Sequence, residues 1–273
     1  MTKPSRVISS LERDRVLRHL KEGKRIDGRD LMEYREIDIK TNISPKAEGS
    51  VDVHLGKSRV ICGVKYDVGT PYPDNPDEGV TTVMSEFVPI ASPMFEGGRP
   101  GEDAIQLARV VDRGIRHSNS VDKKKLCIKE GEHVYIIFID NYVMDYYGNL
   151  TDCAAIASIA ALLNAKLPGA KVEDGELKWD GTYGPIPINE IPLSITFGKI
   201  GEYIFVDPSL DEEMVADGMI AFATDEKGQI TSIQKYDECT WTVDEIIDLS
   251  RKAIEFSNNL REKLNLRQYT PEF

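Results

Sequence analysis

The stretch from Asp152 to Lys166 constrains the fold more than any other. It is rich in alanine and places Ile156, Ile159, Ala160 and Leu163 on one helical face, and its small side chains let neighbouring elements approach closely. Such a helix belongs in a core, and the rest of the chain has to cover it.

The covering elements are mainly strands. Ile37-Asp38-Ile39 has strand alternation. From Gly49 to Lys65 the chain alternates on both sides of Leu55-Gly56-Lys57-Ser58, with Val51 and Val53 before the break and Val60, Cys62 and Val64 after it, the pattern of a β-hairpin. Residues 67–79, rich in Pro, Gly and Asp, are predicted as a loop, 80–90 as a strand, Ile105 to Arg116 as a helix and Val134 to Val143 as a strand. Residues 168–190 form a connecting segment with a short hairpin. Beyond it, strands are expected at Leu193–Phe197, Tyr203–Val206, Met219–Ala223 and Ile230–Ile233. Two helices bracket the chain. The first covers 9–22, with Ser9 and Glu12 as a capping box and Val16, Leu17 and Leu20 as its apolar face. The last starts at Thr242, with Glu245 completing a second capping box, and buries Ile246, Leu249, Ala253, Phe256, Leu260 and Leu264. Strands and helices in this order define an α+β protein, and the likeness of its two halves hints at a loose duplication.

With 273 residues and 41% hydrophobic composition, the chain can bury one large core or two modest ones. No stretch approaches the roughly 18 apolar residues of a membrane-spanning helix, and the N-terminus has no signal-peptide pattern, so a cytoplasmic protein with no membrane association is expected. Cys62, Cys127, Cys153 and Cys239 lack CxxC spacing and read as reduced core thiols. The net charge of -12 argues against a free-standing nucleic-acid binder, which needs clustered Lys and Arg. Any contact with RNA must be local.

Three clusters are candidates for chemistry, alongside one charged turn. That turn is Arg25-Ile26-Asp27-Gly28-Arg29, where a solvated charge, the default at a surface, is one reading of the arginines and does not outweigh a functional one. On the helix from Ile105, residues Arg109, Arg113 and Arg116 fall within about 60° of arc, opposite Leu107, Val110, Val111 and Ile115. They form either an ion-pair ladder with carboxylates such as Asp112 and Asp103 or a strip that reads phosphates. Because the apolar side anchors the helix, the fold is not expected to depend on Arg109 or Arg113, and Lys123 and Lys124 lie outside this face. The turn Asp145 to Asp152 leads into the alanine-rich helix. Its N-terminus is an anion site in principle, but Asn149 or Thr151 can cap it internally, and capping is the better reading. Asp207, Asp211, Glu212, Glu213 and Asp217 form an acidic cluster, read as a solvated loop in preference to a Mg²⁺ or acid–base site. No Ser-His-Asp pattern, P-loop, zinc spacing or dinucleotide fingerprint is present.

Taken together, several of these segments resemble the RNase PH superfamily: Arg25-Ile-Asp-Gly-Arg29, Ala47-Glu-Gly-Ser50 with Val60-Ile-Cys-Gly63, Ile105-Gln-Leu-Ala-Arg-Val-Val-Asp-Arg113, Gly148-Asn149 leading to Asp152-Cys-Ala-Ala155, and Val206-Asp-Pro-Ser-Leu-Asp-Glu-Glu213. The versions at 108–113 and 207–213 are similar to the non-catalytic branch found in the archaeal exosome. The resemblance implies RNase PH-like folds with left-handed βαβ units and mixed β-sheets flanked by helices. It implies a first such domain at 25–168 after a helical extension at 1–24, a connecting loop at 169–190 and a second domain at 191–273. It also implies a hexameric ring with a catalytic RNase PH-like partner, three copies of each, RNA-binding cap subunits on one face, and phosphate-dependent degradation of single-stranded RNA from the 3′ end, with no cofactor or metal.

Where active members of the family have an Arg-Arg pair before the helix, this chain has Glu102-Asp103. A carboxylate there repels a phosphate by roughly 4 kcal/mol per unit-charge pair at about 4 Å and an effective dielectric near 20. Gly148-Asn149-Leu150 replaces a phosphate loop that ends in arginine, and Tyr66 to Glu78 replaces a basic loop. The resemblance therefore implies no catalytic residue in this chain. It gives Arg109 and Arg113 a role in touching RNA beside the partner's active site, with Arg116 on the same face. Two other readings are a self-sufficient nuclease using Asp211 and Asp217, and a pure scaffold whose arginines meet partner carboxylates.

Overall fold

A computed structural model of the chain describes residues 10–173 and 176–271. Helix α1 (Ser10–Lys21) opens it; Ser9, expected as its cap, lies outside the described residues. Strands β1 (Ile37–Thr41), β2 (Gly49–Leu55) and β3 (Ser58–Gly69) follow, and the hairpin turn stands where the alternation breaks, with Leu55 opposite Ser58. β3 runs on to Gly69, which pairs with Val134, so the loop expected from residue 67 gives its first residues to the sheet. Next come β4 (Val80–Phe87), α2 (Glu102–His117), β5 (Cys127–Lys129), β6 (His133–Asp145) and α3 (Leu150–Asn164). The segment expected as a connecting loop with a short hairpin holds an antiparallel ribbon, β7 (Lys166–Glu173) with β8 (Glu176–Pro185), longer than a short hairpin. The chain finishes with β9 (Leu193–Ile200), β10 (Tyr203–Val206), α4 (Leu210–Val215), β11 (Gly218–Thr224), β12 (Ile230–Tyr236) and α5 (Val243–Leu264).

The first sheet has the order β1-β2-β3-β6-β4, with β5 also pairing β6. β4 and β6 are parallel, so α2 sits in a βαβ crossover and β4 forms an edge. The second sheet, β10-β9-β11-β12, is antiparallel throughout. Helices α2 and α3 lie between the sheets. Thr196 of β9 and Tyr236 of β12 hydrogen-bond to Asp152 and Thr151 of α3, while Phe197, one residue on from Thr196, meets Phe256 of α5. Strand alternation thus turns one face of the second sheet to α2 and α3 and the other to α5. α5 begins at the expected cap: Thr242 Oγ1 accepts from the Glu245 N–H at 3.2 Å and Glu245 Oε2 accepts from the Thr242 N–H at 2.8 Å.

α3 is the centre. The sequence pattern gave it one apolar face, yet every residue from Leu150 to Asn164 is buried, because both sheets and α2 pack on it. Close approach depends on small residues: a Cβ on Gly49 of β2 would lie 2.3 Å from the Ala161 carbonyl oxygen. One apolar cluster runs from Val51 and Ile139 of the first sheet through α3 to Phe197, Phe222 and Leu260. α1 adds a second, smaller cluster, in which Val16 and Leu20 join Phe205, Val215 and Met219. Cys62 and Cys153 are buried, Cys127 and Cys239 half-buried, and all four are free thiols.

Candidate nucleic-acid interface

α2 buries Ala104, Leu107, Ala108, Val110, Val111, Gly114 and Ile115, the side expected from its periodicity. The three arginines on the other side go to different places. Arg116 pairs with Asp112 one turn earlier at 3.1 Å, one rung of the ladder. Arg113 is half-buried; it donates to Gln234 Oε1 of β12 at 2.7 Å and from Nε to the Arg109 carbonyl at 3.2 Å. This corrects the expectation that the fold is indifferent to Arg113, since its guanidinium ties α2 to the second sheet. Arg109 is exposed, and its guanidinium makes no hydrogen bond or ion pair among the described residues.

Arg109 and Arg116 border a groove of about 350 Å³ between α2 and the edge strand β4, shared with Tyr72, Glu78, Thr81 and Lys123. Lys123 was expected to lie apart from the arginine face. It follows α2 by only a short turn, and the backbone bond from the Gly79 N–H to the Lys123 carbonyl at 2.8 Å draws it against the start of β4. Lys124 pairs with Asp77 at 3.3 Å.

At the N-terminus of α3 the capping reading holds. Asn149 is the N-cap in the left-handed region, φ 53°, and its Oδ1 accepts from the Asp152 N–H at 3.4 Å. Its own N–H donates to Glu213 Oε1 at 2.6 Å, and its side-chain amide donates to Asp152 Oδ2 and Asp207 Oδ1, both at 2.7 Å. The acceptors at this helix end are the protein's own carboxyl groups. Thr151 turns away to Tyr236 Oη at 2.9 Å. Gly148 has φ +90°, and a Cβ there would sit 2.5 Å from the Ser209 backbone, so the loop packs directly on the start of α4.

The solvated readings of the acidic cluster and of the Arg25–Arg29 turn are both corrected. Ser209 caps α4 through a capping box with Glu212, so the acidic segment is a short helix, and Arg25, Asp207 and Glu212 are at most 1% exposed. Arg25 Nε donates to Glu212 at 2.8 Å and lies over the Phe205 ring. Asp207 accepts from Arg29 at 2.9 Å and from Arg35 at 2.7 and 2.8 Å. Burial works to raise the Asp207 pKa, but the hydrogen bond and charge of Arg35, then Arg29, outweigh it and hold the carboxyl below its usual range. Asp152 and Glu213 have no such guanidinium bond. Burial pushes each to about 7, against hydrogen bonds from Tyr34, Asn149 and Thr196 to Asp152 and from Asn149 and Tyr146 to Glu213.

Asp211 and Asp217 do not form a pair. Asp217 accepts from Arg13 at 2.8 Å and from the Gly201 N–H at 2.6 Å, while exposed Asp211 borders a cleft between α1 and α4. Among the described residues no group of three or more His, Cys, Asp or Glu could hold a metal ion, and no helix is long and apolar enough to cross a membrane. The residues missed from the sequence are Arg35 and Lys123. Arg35 meets its carboxylate 172 positions further on; Lys123 could have been found only from the β4–α2 packing.

The fold and this interior define a member of a known class. Residues 33–168 match the model of the 3′ exoribonuclease family, domain 1, and residues 190–255 that of domain 2. The chain belongs to this RNase PH family. It is 48% identical over 260 residues to the exosome complex component Rrp42 of Thermococcus kodakarensis, covering 94% of this chain and 96% of the relative, and 42% identical over 253 residues to that of Methanopyrus kandleri, covering 91% and 95%. Among solved structures it is similar to a chain of an Archaeoglobus fulgidus exosome with RNA bound to the active site, with a TM-score of 0.86 and 43% identity over 93% of this chain and 98% of that one. A chain of an archaeal exosome core gives a TM-score of 0.82 and 40% identity over 94% and 97%.

Proposed function

We propose that this chain is a non-catalytic, RNA-gripping subunit of an exosome ring in the cytoplasm. Three copies alternate with three of a catalytic RNase PH-like partner, beneath RNA-binding cap subunits. Similarity along nearly its whole length to exosome components supports the assembly. One observation carries the division of labour. The helix end where an incoming phosphate would bind is occupied by Glu213 and Asp152, while Arg109 on α2 is exposed and its guanidinium has no partner among the described residues. Phosphoryl transfer rests on positioning and charge stabilisation. Without an arginine at Glu102, Asp103 or Leu150, this chain holds RNA for its neighbour. The Arg113–Gln234 bond favours a structural contribution from Arg113, leaving Arg109 as the principal contact and Arg116 as a secondary one.

The test is release of nucleoside diphosphate from labelled single-stranded RNA in the presence of phosphate. The isolated chain releases none, and the assembled complex does so more slowly when Arg109 is changed to Ala. Turnover by the purified chain alone, abolished by Asp217→Ala, would establish the self-sufficient nuclease instead.

A further inference from the structure

The groove between α2 and β4 contains more than the arginines. Tyr72 stands at its edge with 64% of its surface exposed, although a tyrosine that size would ordinarily bury its ring. The turn carrying it is fixed: the Asn75 N–H bonds to the Tyr72 carbonyl at 3.0 Å, the Glu78 N–H to the Asn75 carbonyl at 3.2 Å, and the Gly131 N–H to the Pro76 carbonyl at 2.9 Å. Beyond Arg116 the groove continues into a second cleft of about 410 Å³, to which Glu78, Thr81, Arg116 and Lys123 are common. The cleft walls hold both signs of charge, but most carboxylates are already engaged. Asp112 pairs with Arg116, Asp122 with Lys125 and Asp77 with Lys124. Lys123, like Arg109, has no ion-pair partner among the described residues, and Glu78 is the one acid of the groove left without one.

We infer that Tyr72 and Lys123 extend the RNA contact of Arg109 into a track along the β4–α2 groove, with one base stacked on the Tyr72 ring and backbone phosphates held by Arg109 and Lys123. An exposed aromatic ring on a hydrogen-bonded turn, in one groove with two cations that have no partner among the described residues, suits a single strand of any sequence, because every base offers a π-face and every nucleotide a phosphate. A protein partner would meet the same surface, but two cations and one exposed ring sharing a groove match the charge and base of RNA more closely than they match an apolar contact. The inference rests on the proposed RNA-binding function.

The experiment uses the chain assembled with its catalytic partner and a fluorescently labelled oligoadenylate, with affinity measured in phosphate-free buffer over a range of salt concentrations. Tyr72→Ala weakens binding by about 5- to 150-fold, the range for one lost base stack, with the salt slope unchanged, and Tyr72→Phe restores it. Lys123→Ala makes the slope of log affinity against log salt shallower by roughly 0.7, the value for one phosphate contact to a single strand. Lys252→Ala on α5 changes neither. If Arg109→Ala weakens binding while the Tyr72 and Lys123 variants bind like wild type, the track is wrong and the Arg109 contact stands alone. If none of the three affects RNA, both readings fall. If Tyr72→Ala leaves RNA affinity intact but prevents ring or cap assembly, the surface is a protein interface and the inference is overturned.

Discussion

Glu213 and Asp207 are buried within one network, and burial works to raise the pKa of both, yet their partners move the two protons in opposite directions. Asp207 lies between guanidinium groups and ionises easily; Glu213 receives bonds only from a backbone N–H and a tyrosine and titrates near 7. Unfolded, Glu213 would titrate near its ordinary 4.5. Between those values the folded chain keeps a proton that the unfolded chain has released, so stability falls as pH rises through the window. The size is on the order of 3 kcal/mol at about 1.4 kcal/mol per unit. Asp152 acts in the same direction, whereas Asp207 contributes stability that is lost as pH falls through its depressed pKa. Glu213→Gln keeps the shape of the side chain and should flatten the decline in stability across that window, leaving the part due to Asp152 and to Asp140, whose pKa burial also raises. Urea midpoints measured from pH 5 to 8 check it; equal declines in the two proteins would place the effect elsewhere. At the neighbouring turn, Gly148→Ala forces a side chain into a left-handed residue pressed against Ser209. It should lower stability by about 2–4 kcal/mol, which the same titration reads.

At the scale of single elements, α2 distinguishes its own arginines. Removing Arg113 breaks a bond to β12 and should lower stability by about 1 kcal/mol, whereas removing Arg109 should change it by less than about 0.5 kcal/mol; thermal melts of the two variants give the comparison. The apolar side of α2 and the start of α5 were legible in the sequence because helical period and a capping box are local signals. Leu107 and Val111 point inward as their spacing requires. Other features were not local. The guanidiniums of Arg25 and Arg29 looked like solvated turn charges because their carboxylates, Glu212 and Asp207, lie 187 and 178 positions away. The burial of α3 on all sides could not be read from Ile156 and Leu163 alone, since alanines face a second sheet as readily as they face water. The direction of Arg113 depended on where β12 came to lie, which no helical wheel contains.

For the whole molecule, a net charge of -12 coexists with an interior whose buried acids are mostly matched or protonated, so the excess negative charge is on the surface. A partner of opposite local potential is drawn to such a surface and held in register by it. Mixing the chain with a basic RNase PH-like partner should give a ring-sized species in size-exclusion chromatography with light scattering, weakened at high salt; a chain that stays monomeric beside that partner would contradict it. The central helix has a consequence for synthesis. α3 is complete at Asn164, but the second sheet that covers one of its sides and the helix that closes over that sheet end only at Leu264. At about 5–20 residues per second, a ribosome needs roughly 5–20 s to make the intervening segment. For that interval the nascent chain displays an alanine-rich surface with nothing of its own to place on it. The emerging polypeptide, rather than the finished subunit, is where this sequence is most exposed to aggregation and most in need of a chaperone.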